Sequence, residues 1–551
     1  MLRGQMMDRP LLIAPILRHA AQVHATSTVS SRFGGEPPHR YTYADAWRRT
    51  QQLANVLTDL GVKAGARVGT IAWNDHRHFE LYYAVPGIAA VCHTLNPRLS
   101  REQLVYIVNH AQDEWLFVDP MFVPLVEAVW PQLDSVRGVV VMTQPDRMPA
   151  SKLPTVLCYE TLMAAASAEF AFPEFDENTA AGLCYTSGTT GEPKGVLYSH
   201  RSTVLHAYGC FTVPGSSLRH DDTALLVVPL FHVNAWGYPH VAPIIGAHLV
   251  MPGPKLDGAS LYALMESERV TMSSGVPTVW LGLLNHLRET GSRLSTVRKL
   301  TSGGSALPRA MLEAFENDYG IEMFQGWGMT ETSPLGTFSS VPRDMADAPR
   351  ERQNELKLTA GRPIFGVEIT ILDGNGKSLP HDGVAQGEIA VRGPWIASGY
   401  YRNADATKNA ITPDGWFLTG DVGRIDERGT LQLVDRTKDI IKSGGEWISS
   451  VALERLALSH PGVAEAAVIG VPHPKWQERP LLLIVKRKDA EVDGQALLQF
   501  LAPGVPRWWL PDDVVFVERF PYGATGKIQK SVLRKQFADY QLPAEAARRT
   551  A

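Results

Sequence analysis

The sequence is poor in the features that mark disulfide-bonded and zinc-binding proteins. Its 551 residues include four cysteines, Cys92, Cys158, Cys184 and Cys210, and they form no Cys-x-x-Cys pair. This scarcity suits a reducing compartment and argues against a disulfide framework or a cysteine zinc site. His76 and His78 stand in a polar stretch without a matching cluster of ligands, so we expect no metal role for them.

Long apolar runs and an excess of one charge are also missing. The formal net charge is -4, which gives no reason to expect nucleic-acid binding. The apolar run Leu11–Leu17 is short and interrupted by Pro15, so it predicts a docked helix and no transmembrane segment. Asp8 and Arg18 flank it closely, which argues against a signal peptide. With no Ser-Lys-Leu address at the end, we expect a cytoplasmic protein.

Hydrophobic periodicity predicts an α/β protein. Strand-like runs at 67–73, 115–118, 139–142, 225–228 and 248–251 alternate with amphipathic helical patterns at 43–60 and 260–268. This alternation predicts βαβ units and several mostly parallel sheets covered by helices on both faces. We therefore expect a large N-terminal α/β domain over residues 1–434.

A second, smaller unit is predicted beyond Asp435. Residues 424–434 resemble a hairpin, and strands at 466–469 and 481–485 precede a helix at 496–501. These elements predict a small α+β domain over residues 436–551. The boundary carries no Pro/Ser linker, so we expect a hinge at a single residue, Asp435.

The most informative stretch is Tyr185-Thr-Ser-Gly-Thr-Thr-Gly-Glu-Pro-Lys-Gly-Val196. Its glycines let the backbone approach phosphate oxygens, its hydroxyl residues add donors, and Lys194 adds a positive charge. The Walker A order of residues is absent, so this loop is not that of an ordinary P-loop ATPase.

Four further motifs follow the loop in order. They are Gln325-Gly-Trp-Gly-Met-Thr-Glu-Thr-Ser-Pro334, Gly415-Trp-Phe-Leu-Thr-Gly-Asp421, Val434-Asp-Arg-Thr-Lys-Asp-Ile-Ile-Lys-Ser-Gly-Gly-Glu446 and Gly523-Ala-Thr-Gly-Lys527. Together with the loop, they resemble the signatures of the adenylate-forming superfamily of acyl-CoA synthetases, luciferases and adenylation domains. The resemblance covers nearly the whole chain and implies the cosubstrates ATP and CoA, and Mg²⁺.

The resemblance also assigns roles to individual residues. It implies Lys527, His232, Glu331 and Thr186 as catalytic residues, with Thr186 and Glu331 as the protein ligands of Mg²⁺. It implies nucleotide contacts by Thr186, Ser187, Gly188, Thr189, Thr190, Gly191, Lys194, Val233, Trp236, Gly304, Gln325, Gly326, Trp327, Thr330, Asp421, Arg436, Lys438 and Lys442.

Lys527 is the principal candidate for catalysis of adenylation. A lysine ammonium is a compact charge on a long stem, and it would bridge the attacking carboxylate and the α-phosphate, which repel each other. The resemblance implies that the small domain then rotates about Asp435, removing Lys527 before the thiol attacks.

One segment narrows the choice of the acid substrate. Phe231-His-Val-Asn-Ala-Trp236 resembles the corresponding segment of the bacterial medium- and long-chain fatty-acyl-CoA synthetases. The resemblance implies that Trp236 gates an apolar tunnel, and Val233, Tyr238 and Trp327 are candidates for its lining. We therefore expect a fatty-acid–CoA ligase that acts on a small-molecule acid.

Several alternatives stay open. Relatives in the same branch take short thioether acids of the methylthiopropionate type, or branched or aromatic acids. The same motifs also occur in enzymes that load a carrier protein and in luciferase-like oxygenases. A non-catalytic nucleotide-binding module is disfavoured because Lys527, Glu331 and Asp421 are all present. By analogy with the family we expect a homodimer.

Overall fold

The computed structural model describes residues 2–33, 38–186, 192–213, 217–444, 446–488, 490–523 and 528–543. Its residues form two compact units. The described parts of Met1–Thr186, Pro193–Glu368 and Val391–Phe417 form the first unit, and those of Ile369–Ala390 and Leu418–Ala551 belong to the second. The predicted boundary and hinge at Asp435 remain predictions.

The helices are α1 (Ala14–Val23), α2 (Tyr43–Asp59), α3 (His76–Gly87), α4 (Arg101–Ala111), α5 (Val123–Val129), α6 (Tyr159–Ala165), α7 (His200–Cys210), α8 (Tyr238–Ile245), α9 (Gly258–Ser267), α10 (Pro277–Thr290), α11 (Arg309–Glu313), α12 (Arg350–Lys357), α13 (Ala404–Ala410), α14 (Ser450–Leu458), α15 (Gly494–Leu501) and α16 (Lys530–Gln536).

The strands are β1 (Thr28–Ser31), β2 (His39–Thr42), β3 (Arg67–Ile71), β4 (Val91–Thr94), β5 (Asp113–Val118), β6 (Gly138–Val141), β7 (Val156–Cys158), β8 (Ala180–Tyr185), β9 (Gly195–Ser199), β10 (Thr223–Leu225), β11 (His248–Met251), β12 (Met272–Gly275), β13 (Lys299–Ser302), β14 (Glu322–Gly328), β15 (Leu335–Phe338), β16 (Arg362–Pro363), β17 (Glu368–Leu372), β18 (Gly387–Arg392), β19 (Phe417–Ile425), β20 (Leu431–Arg436), β21 (Ile441–Ser443), β22 (Glu446–Ile448), β23 (Val463–His473), β24 (Gln477–Lys486) and β25 (Asp513–Phe516).

Two large sheets dominate the first unit, as the alternating pattern predicted. A seven-stranded sheet has the order β7-β6-β5-β3-β4-β8-β9, and a nine-stranded sheet has the order β16-β15-β14-β13-β12-β10-β11-β1-β2. Neighbouring strands inside each sheet run parallel, whereas β9, β2, β15 and β16 pair antiparallel at the edges. Parallel sheets need apolar cover on both faces.

Helices provide that cover in layers. One hydrophobic cluster joins residues of both sheets to α1, α2, α3, α7 and α8, so these helices lie between the sheets. The outer face of the seven-stranded sheet packs against α4 and α5, and the outer face of the nine-stranded sheet packs against α9, α10 and α11. Every residue of α3 is buried, including His76 and His78.

Local sequence explains several boundaries. Thr42 caps α2 through a reciprocal box with Asp45, which fixes the start of the helix predicted there. The strand predicted over 225–228 was wrongly placed, because β10 spans Thr223–Leu225 and shares only Leu225 with the predicted range. Beyond it the side-chain amide of Asn74 donates to the carbonyls of Leu226 and Val228 at 2.7 and 2.8 Å and replaces a neighbouring strand.

The second unit contains a four-stranded sheet, β17-β18-β19-β20, and a five-stranded sheet. The hairpin predicted around residues 424–434 is confirmed as the antiparallel pair β19 and β20. In the five-stranded sheet, one face of the long β23–β24 pair packs on α14 and α15 and the opposite face packs on α16. The fold class expected from the sequence, a large α/β part with several sheets and a smaller C-terminal part, is confirmed.

Candidate active site

The two ends of the hydroxyl- and glycine-rich loop meet in the first unit. Thr186 directly follows β8, and its amide donates to the carbonyl of Lys194 at 2.9 Å. The amide of Lys194 donates back to the Thr186 hydroxyl at 3.3 Å. These bonds close the loop at its base. The predicted phosphate contacts Ser187, Gly188, Thr189, Thr190 and Gly191 lie outside the described residues, as does Lys527.

Glu331 lies in a short 3₁₀ turn, Thr330–Thr332, that follows β14. A Cβ atom on Gly328 would overlap the carbonyl oxygen of Pro334, so only glycine permits this sharp exit from the strand. Glu331 is 5% exposed. Its carboxylate accepts a 2.7 Å hydrogen bond from the Tyr400 hydroxyl, and its carbonyl accepts one of 2.8 Å from the amide of Ala397.

Tyr400 connects this turn to the loop. The Lys194 ammonium lies 4.7 Å from the centre of the Tyr400 ring, within the range of a cation–π contact. Burial, and then the neighbouring Glu331 carboxylate, raise the pKa of the Tyr400 phenol, so it stays protonated and donates. Tyr400 is not among the residues predicted from the sequence, because a tyrosine in a Gly-Tyr-Tyr stretch gives no local sign of a partner about 70 residues away.

The segment that carries His232 has an unusual backbone. Val233, Asn234, Ala235 and Trp236 have φ angles of 47, 51, 48 and 55°, and all four therefore lie in the left-handed region. That region costs roughly 1–2 kcal/mol for each L-residue, and such strain concentrates at functional sites. The predicted acyl gate is thus a strained turn that the surrounding core holds in place.

Trp236 lies against residues 302–308, the segment that contains the predicted nucleotide contact Gly304 and that we call the adenine wall. A Cβ atom on Gly303 would come within 2.8 Å of the Trp236 ring and 3.3 Å of the Gly326 carbonyl oxygen. Gly304 has a φ of 77°, which favours glycine. The buried hydroxyl of Ser302 has no hydrogen-bond partner among the described residues. Backbone groups, the Trp236 ring and a buried hydroxyl are thus close together at the predicted nucleotide contact Gly304.

Other predicted nucleotide contacts have structural partners. The Gln325 side chain accepts from the Leu307 amide at 2.7 Å and donates to the Thr359 carbonyl at 3.0 Å. It therefore braces the wall that begins at Ser302. The carbonyl of Thr330 accepts a 2.8 Å bond from the Tyr198 hydroxyl.

The candidate acyl-binding residues are buried and uncharged. Val233, Tyr238 and Trp327 are 3, 6 and 7% exposed. The Tyr238 hydroxyl pairs with that of Ser274 at 2.6 Å. Behind the turn, burial lowers the pKa of His206 to about 4, and a Cβ atom on the adjacent Gly237 would lie 2.7 Å from the His206 ring.

The remaining predicted site residues belong to the second unit. Arg436 on β20 forms a 3.2 Å ion pair with Asp421 on the adjacent β19. The Asp435 side chain is buried and hydrogen-bonded to Ser450. Lys438 and Lys442 are exposed, and the Lys442 amide donates to Glu478 at 2.9 Å.

The oxygen ligands that Glu331 and Thr186 offer in the first unit are of the kind that Mg²⁺ binds. This ion takes oxygen ligands, keeps several waters and is usually held by one or two protein groups together with substrate phosphates. Glu331 offers a buried carboxylate, and Thr186 offers a hydroxyl at the base of the loop. In the described ranges no group of three His, Cys, Asp or Glu side chains is placed to hold a metal ion by itself.

Two further observations concern regions outside the motifs. A cavity of about 260 Å³ is lined by Arg9, Arg18, Trp47, Phe172 and His200 among others, and it includes none of the predicted site residues.

No helix in the part of the chain that the structure describes has both the length and the apolar character needed to cross a membrane.

Two protein-family models match this chain. Residues 17–401 match the model of the AMP-binding enzyme family, and residues 452–527 match the model of the AMP-binding enzyme C-terminal domain. The chain belongs to the AMP-binding enzyme family. The resemblance inferred from the five motifs is thereby confirmed.

Several relatives that match over nearly their full length are acyl-CoA ligases. A 3-methylmercaptopropionyl-CoA ligase of Ruegeria pomeroyi is 48% identical, with 97% of this chain and 99% of the relative covered. A long-chain-fatty-acid–CoA ligase of Thermus thermophilus is 46% identical, with 97% of each chain covered. The crystal structure of an anthranilate CoA ligase in complex with anthranoyl-AMP has a TM-score of 0.84 at 24% identity, covers 96% of this chain and 98% of its own, and matches the fold.

These matches establish the class of reaction. The protein is an AMP-forming acyl-CoA ligase, which uses an acid, ATP and CoA as substrates. Both the fatty-acid interpretation and the thioether alternative agree with this class.

Proposed function

We propose that this ligase activates a medium- or long-chain fatty acid as its acyl-adenylate, with release of pyrophosphate, and then transfers the acyl group to CoA. The observation that supports the choice of acid is that the three candidate acyl-binding residues, Val233, Tyr238 and Trp327, are buried and uncharged. Each buried methylene of an acyl chain contributes about 0.8 kcal/mol of binding free energy, so such residues favour hydrocarbon.

Two buried histidines close to Gly237 and Tyr238 in the fold or the sequence support the same choice. His206 and His240 are buried, and burial lowers their pKa values to about 4 and about 3. Both imidazoles are therefore neutral at physiological pH and offer no cation to a second carboxylate. We expect the enzyme to discriminate against dicarboxylic acids, because an unpaired carboxylate is costly to bury.

In the first half-reaction a carboxylate oxygen attacks the α-phosphorus of ATP, and pyrophosphate leaves. We assign the loop that Thr186 and Lys194 close to the β- and γ-phosphates, and Gly303, Gly304 and Trp327 to the adenine side. Mg²⁺ held by Thr186 and Glu331 would neutralise charge on the phosphates. His232 would lie near the acyl carboxylate, and Lys527 would bridge it to the α-phosphate.

In the second half-reaction the CoA sulfur forms a bond to the acyl carbonyl carbon, AMP leaves with its phosphate oxygen, and the thiol proton passes to solvent. We assign Asp421 and Arg436, which form an ion pair, to the ribose hydroxyls. Lys438 and Lys442 are assigned to phosphate groups. Rotation at Asp435 would exchange the arrangements that serve the two half-reactions.

A panel of acids tests the proposed substrate. Pyrophosphate release is measured with ATP, Mg²⁺ and linear acids from C3 to C18, each with and without CoA. We expect the highest kcat/KM for octanoate or longer acids, and at least a tenfold lower value for the dicarboxylic acid of equal length. Equal use of octanoate and its dicarboxylic analogue would contradict the proposed choice of acid.

A short thioether acid is the second candidate, favoured by the 48% identity to a 3-methylmercaptopropionyl-CoA ligase. The same panel therefore includes 3-methylmercaptopropionate beside butanoate and octanoate. A kcat/KM for the thioether acid tenfold above that for octanoate would replace the first candidate. Product formed on a carrier protein in the absence of CoA would indicate carrier loading.

Assembly and location are further parts of the proposal. By analogy with the family, we infer a cytoplasmic homodimer with no nucleic-acid partner. Light scattering during size-exclusion chromatography is expected to give twice the mass of one chain. A single-chain mass at micromolar concentration would contradict the dimer.

A further inference from the structure

Tyr400 and its neighbours attach to Glu331 at two points. The Tyr400 hydroxyl donates to the Glu331 carboxylate at 2.7 Å, and the Ala397 amide donates to the Glu331 carbonyl at 2.8 Å. The same segment also accepts a 2.7 Å bond from the Ser333 hydroxyl at the carbonyl of Trp395. Residues 395–400 thus fix both the backbone and the side chain of the turn that carries Glu331.

The segment also holds the end of the phosphate loop. The Tyr401 amide donates to the carbonyl of Gly195 at 2.8 Å, directly after Lys194. The Lys194 ammonium faces the Tyr400 ring at 4.7 Å. One short segment therefore positions both the loop end and the buried carboxylate.

Tyr400 is itself rigidly held. Its amide donates to the Thr407 hydroxyl at 2.9 Å, and that hydroxyl donates to the Asn403 carbonyl at 2.8 Å. A Cβ atom on Gly399 would lie 2.6 Å from the Thr407 methyl group, so the residue before Tyr400 is kept small. A phenol fixed in this way can direct a hydrogen bond at one carboxylate oxygen without losing further side-chain freedom.

We propose that Tyr400 is a positioning residue for Mg²⁺–ATP. Its hydroxyl orients the Glu331 carboxylate, and its ring holds the Lys194 ammonium against its face. This inference rests on the proposed metal role of Glu331. The 2.7 Å hydrogen bond fixes the direction of the Glu331 carboxylate, and carboxylate oxygens are the ligands that a hard cation binds. Loss of the hydroxyl is therefore expected to weaken the Mg²⁺-dependent part of ATP binding.

The test compares Tyr400→Phe with the wild type. Tyr400→Phe keeps the ring that faces Lys194 and removes only the donor to Glu331. The dissociation constant of ATP is measured by titration calorimetry in Mg²⁺ and again in EDTA, without acid or CoA. The Mg²⁺ effect is the dissociation constant in EDTA divided by the dissociation constant in Mg²⁺. We expect this ratio to fall about tenfold in the variant, as for the loss of one hydrogen bond to a charged group. Binding in EDTA is expected to stay within twofold of the wild type.

Tyr401→Phe is the matched control, because it makes the same change at the next residue and removes no described contact with Glu331. It is expected to keep the wild-type Mg²⁺ effect. Thr407→Val is a second variant for the case that Tyr400→Phe is poorly folded. It removes the hydroxyl that accepts from the Tyr400 amide, and it is expected to change the same ratio in the same direction.

Three outcomes would overturn the inference. The first is an unchanged Mg²⁺ effect in Tyr400→Phe, and the second is an equal loss of ATP affinity with and without Mg²⁺, as a purely structural role would give. The third is wild-type ATP binding that Mg²⁺ does not strengthen. Pyrophosphate release by the wild type with the acid panel is measured separately, so failure of the proposed function is distinguishable from failure of this role.

Discussion

The Asp435 carboxylate is bound to the start of α14 through Ser450. One carboxylate oxygen accepts bonds from the amide and the hydroxyl of Ser450, both at 2.6 Å, and the other accepts from the Arg436 amide at 2.7 Å. Burial raises the pKa of Asp435, although Lys530 opposes the shift. The residue predicted to be a hinge is therefore fixed by side-chain bonds in this structure.

Constraining this residue is expected to separate the two half-reactions. Asp435→Pro fixes φ near -65° and removes the backbone N–H, so it restricts rotation at this position. We expect one half-reaction to stay within a few-fold of the wild type and the other to fall by at least tenfold. Pyrophosphate release without CoA measures the first, and thioester formation from preformed acyl-adenylate measures the second.

Ser450→Ala complements this variant by removing the hydroxyl donor to Asp435. It is expected to change the ratio of the two half-reaction rates by several-fold, because one arrangement loses a bond. Ser459→Ala, at the other end of the same helix, removes an exposed hydroxyl and serves as the control. Rotation at Asp435 is wrong if the proline variant keeps both half-reactions.

Gly303→Ala tests the contact between the adenine wall and the acyl gate. The added methyl group would lie 2.8 Å from the Trp236 ring, so the indole must move. Overpacking of this kind costs about 1–3 kcal/mol. We expect roughly a tenfold change in the ratio of kcat/KM for octanoate to that for palmitate, together with a higher KM for ATP.

The control for this variant is Gly282→Ala, where the nearest atom to the new methyl group is 3.9 Å away. It is expected to keep the wild-type ratio and the wild-type melting temperature. An unaltered preference in Gly303→Ala would mean that Trp236 does not take part in selecting the acid.

Lys527 carries the prediction with the largest expected effect. Lys527→Ala is expected to slow acyl-adenylate formation by at least a hundredfold, because it removes the cation proposed to screen the two anions. Thioester formation from preformed acyl-adenylate is expected to stay near the wild-type rate. Lys535→Ala, an exposed lysine on α16, is the control, and equal loss in both half-reactions would exclude this role.

Features of the fold and the family that depend on short stretches of sequence could be predicted. Alternating strand and helix patterns predicted several mostly parallel sheets, and two strand-like pieces around Glu427-Arg-Gly429 predicted the β19–β20 hairpin, because hydrophobic periodicity reports which face of an element is buried. Glu331 became a candidate site residue because it stands inside a ten-residue motif, and its role stays a prediction. The family and the class of reaction followed from five motifs in order, and the comparisons confirm both.

Contacts between distant segments were not predictable in this way. Tyr400 meets Glu331 only because β14 and the segment before α13 are brought together by the fold. The left-handed turn at Val233–Trp236 contains no glycine before Gly237, so no residue in it announces a positive φ. Nor does an isolated Asn74 indicate that its amide will end β10.

Buried histidines give a final prediction about pH. His78 accepts from Thr70 and donates to the Trp73 carbonyl, and burial lowers its pKa from 6.5 to about 4. The unfolded chain takes up a proton near pH 6.5 while the folded protein does not, so the stabilisation is present above that pH and is lost as the pH falls towards 4. We expect the free energy of unfolding in urea to fall between pH 7 and pH 5, with about 1–2 kcal/mol of that fall due to His78. His78→Asn, which can keep a donor to Trp73, should show a smaller fall, whereas the exposed control His381→Gln should match the wild type. An identical pH dependence in His78→Asn and the wild type would show that His78 does not contribute.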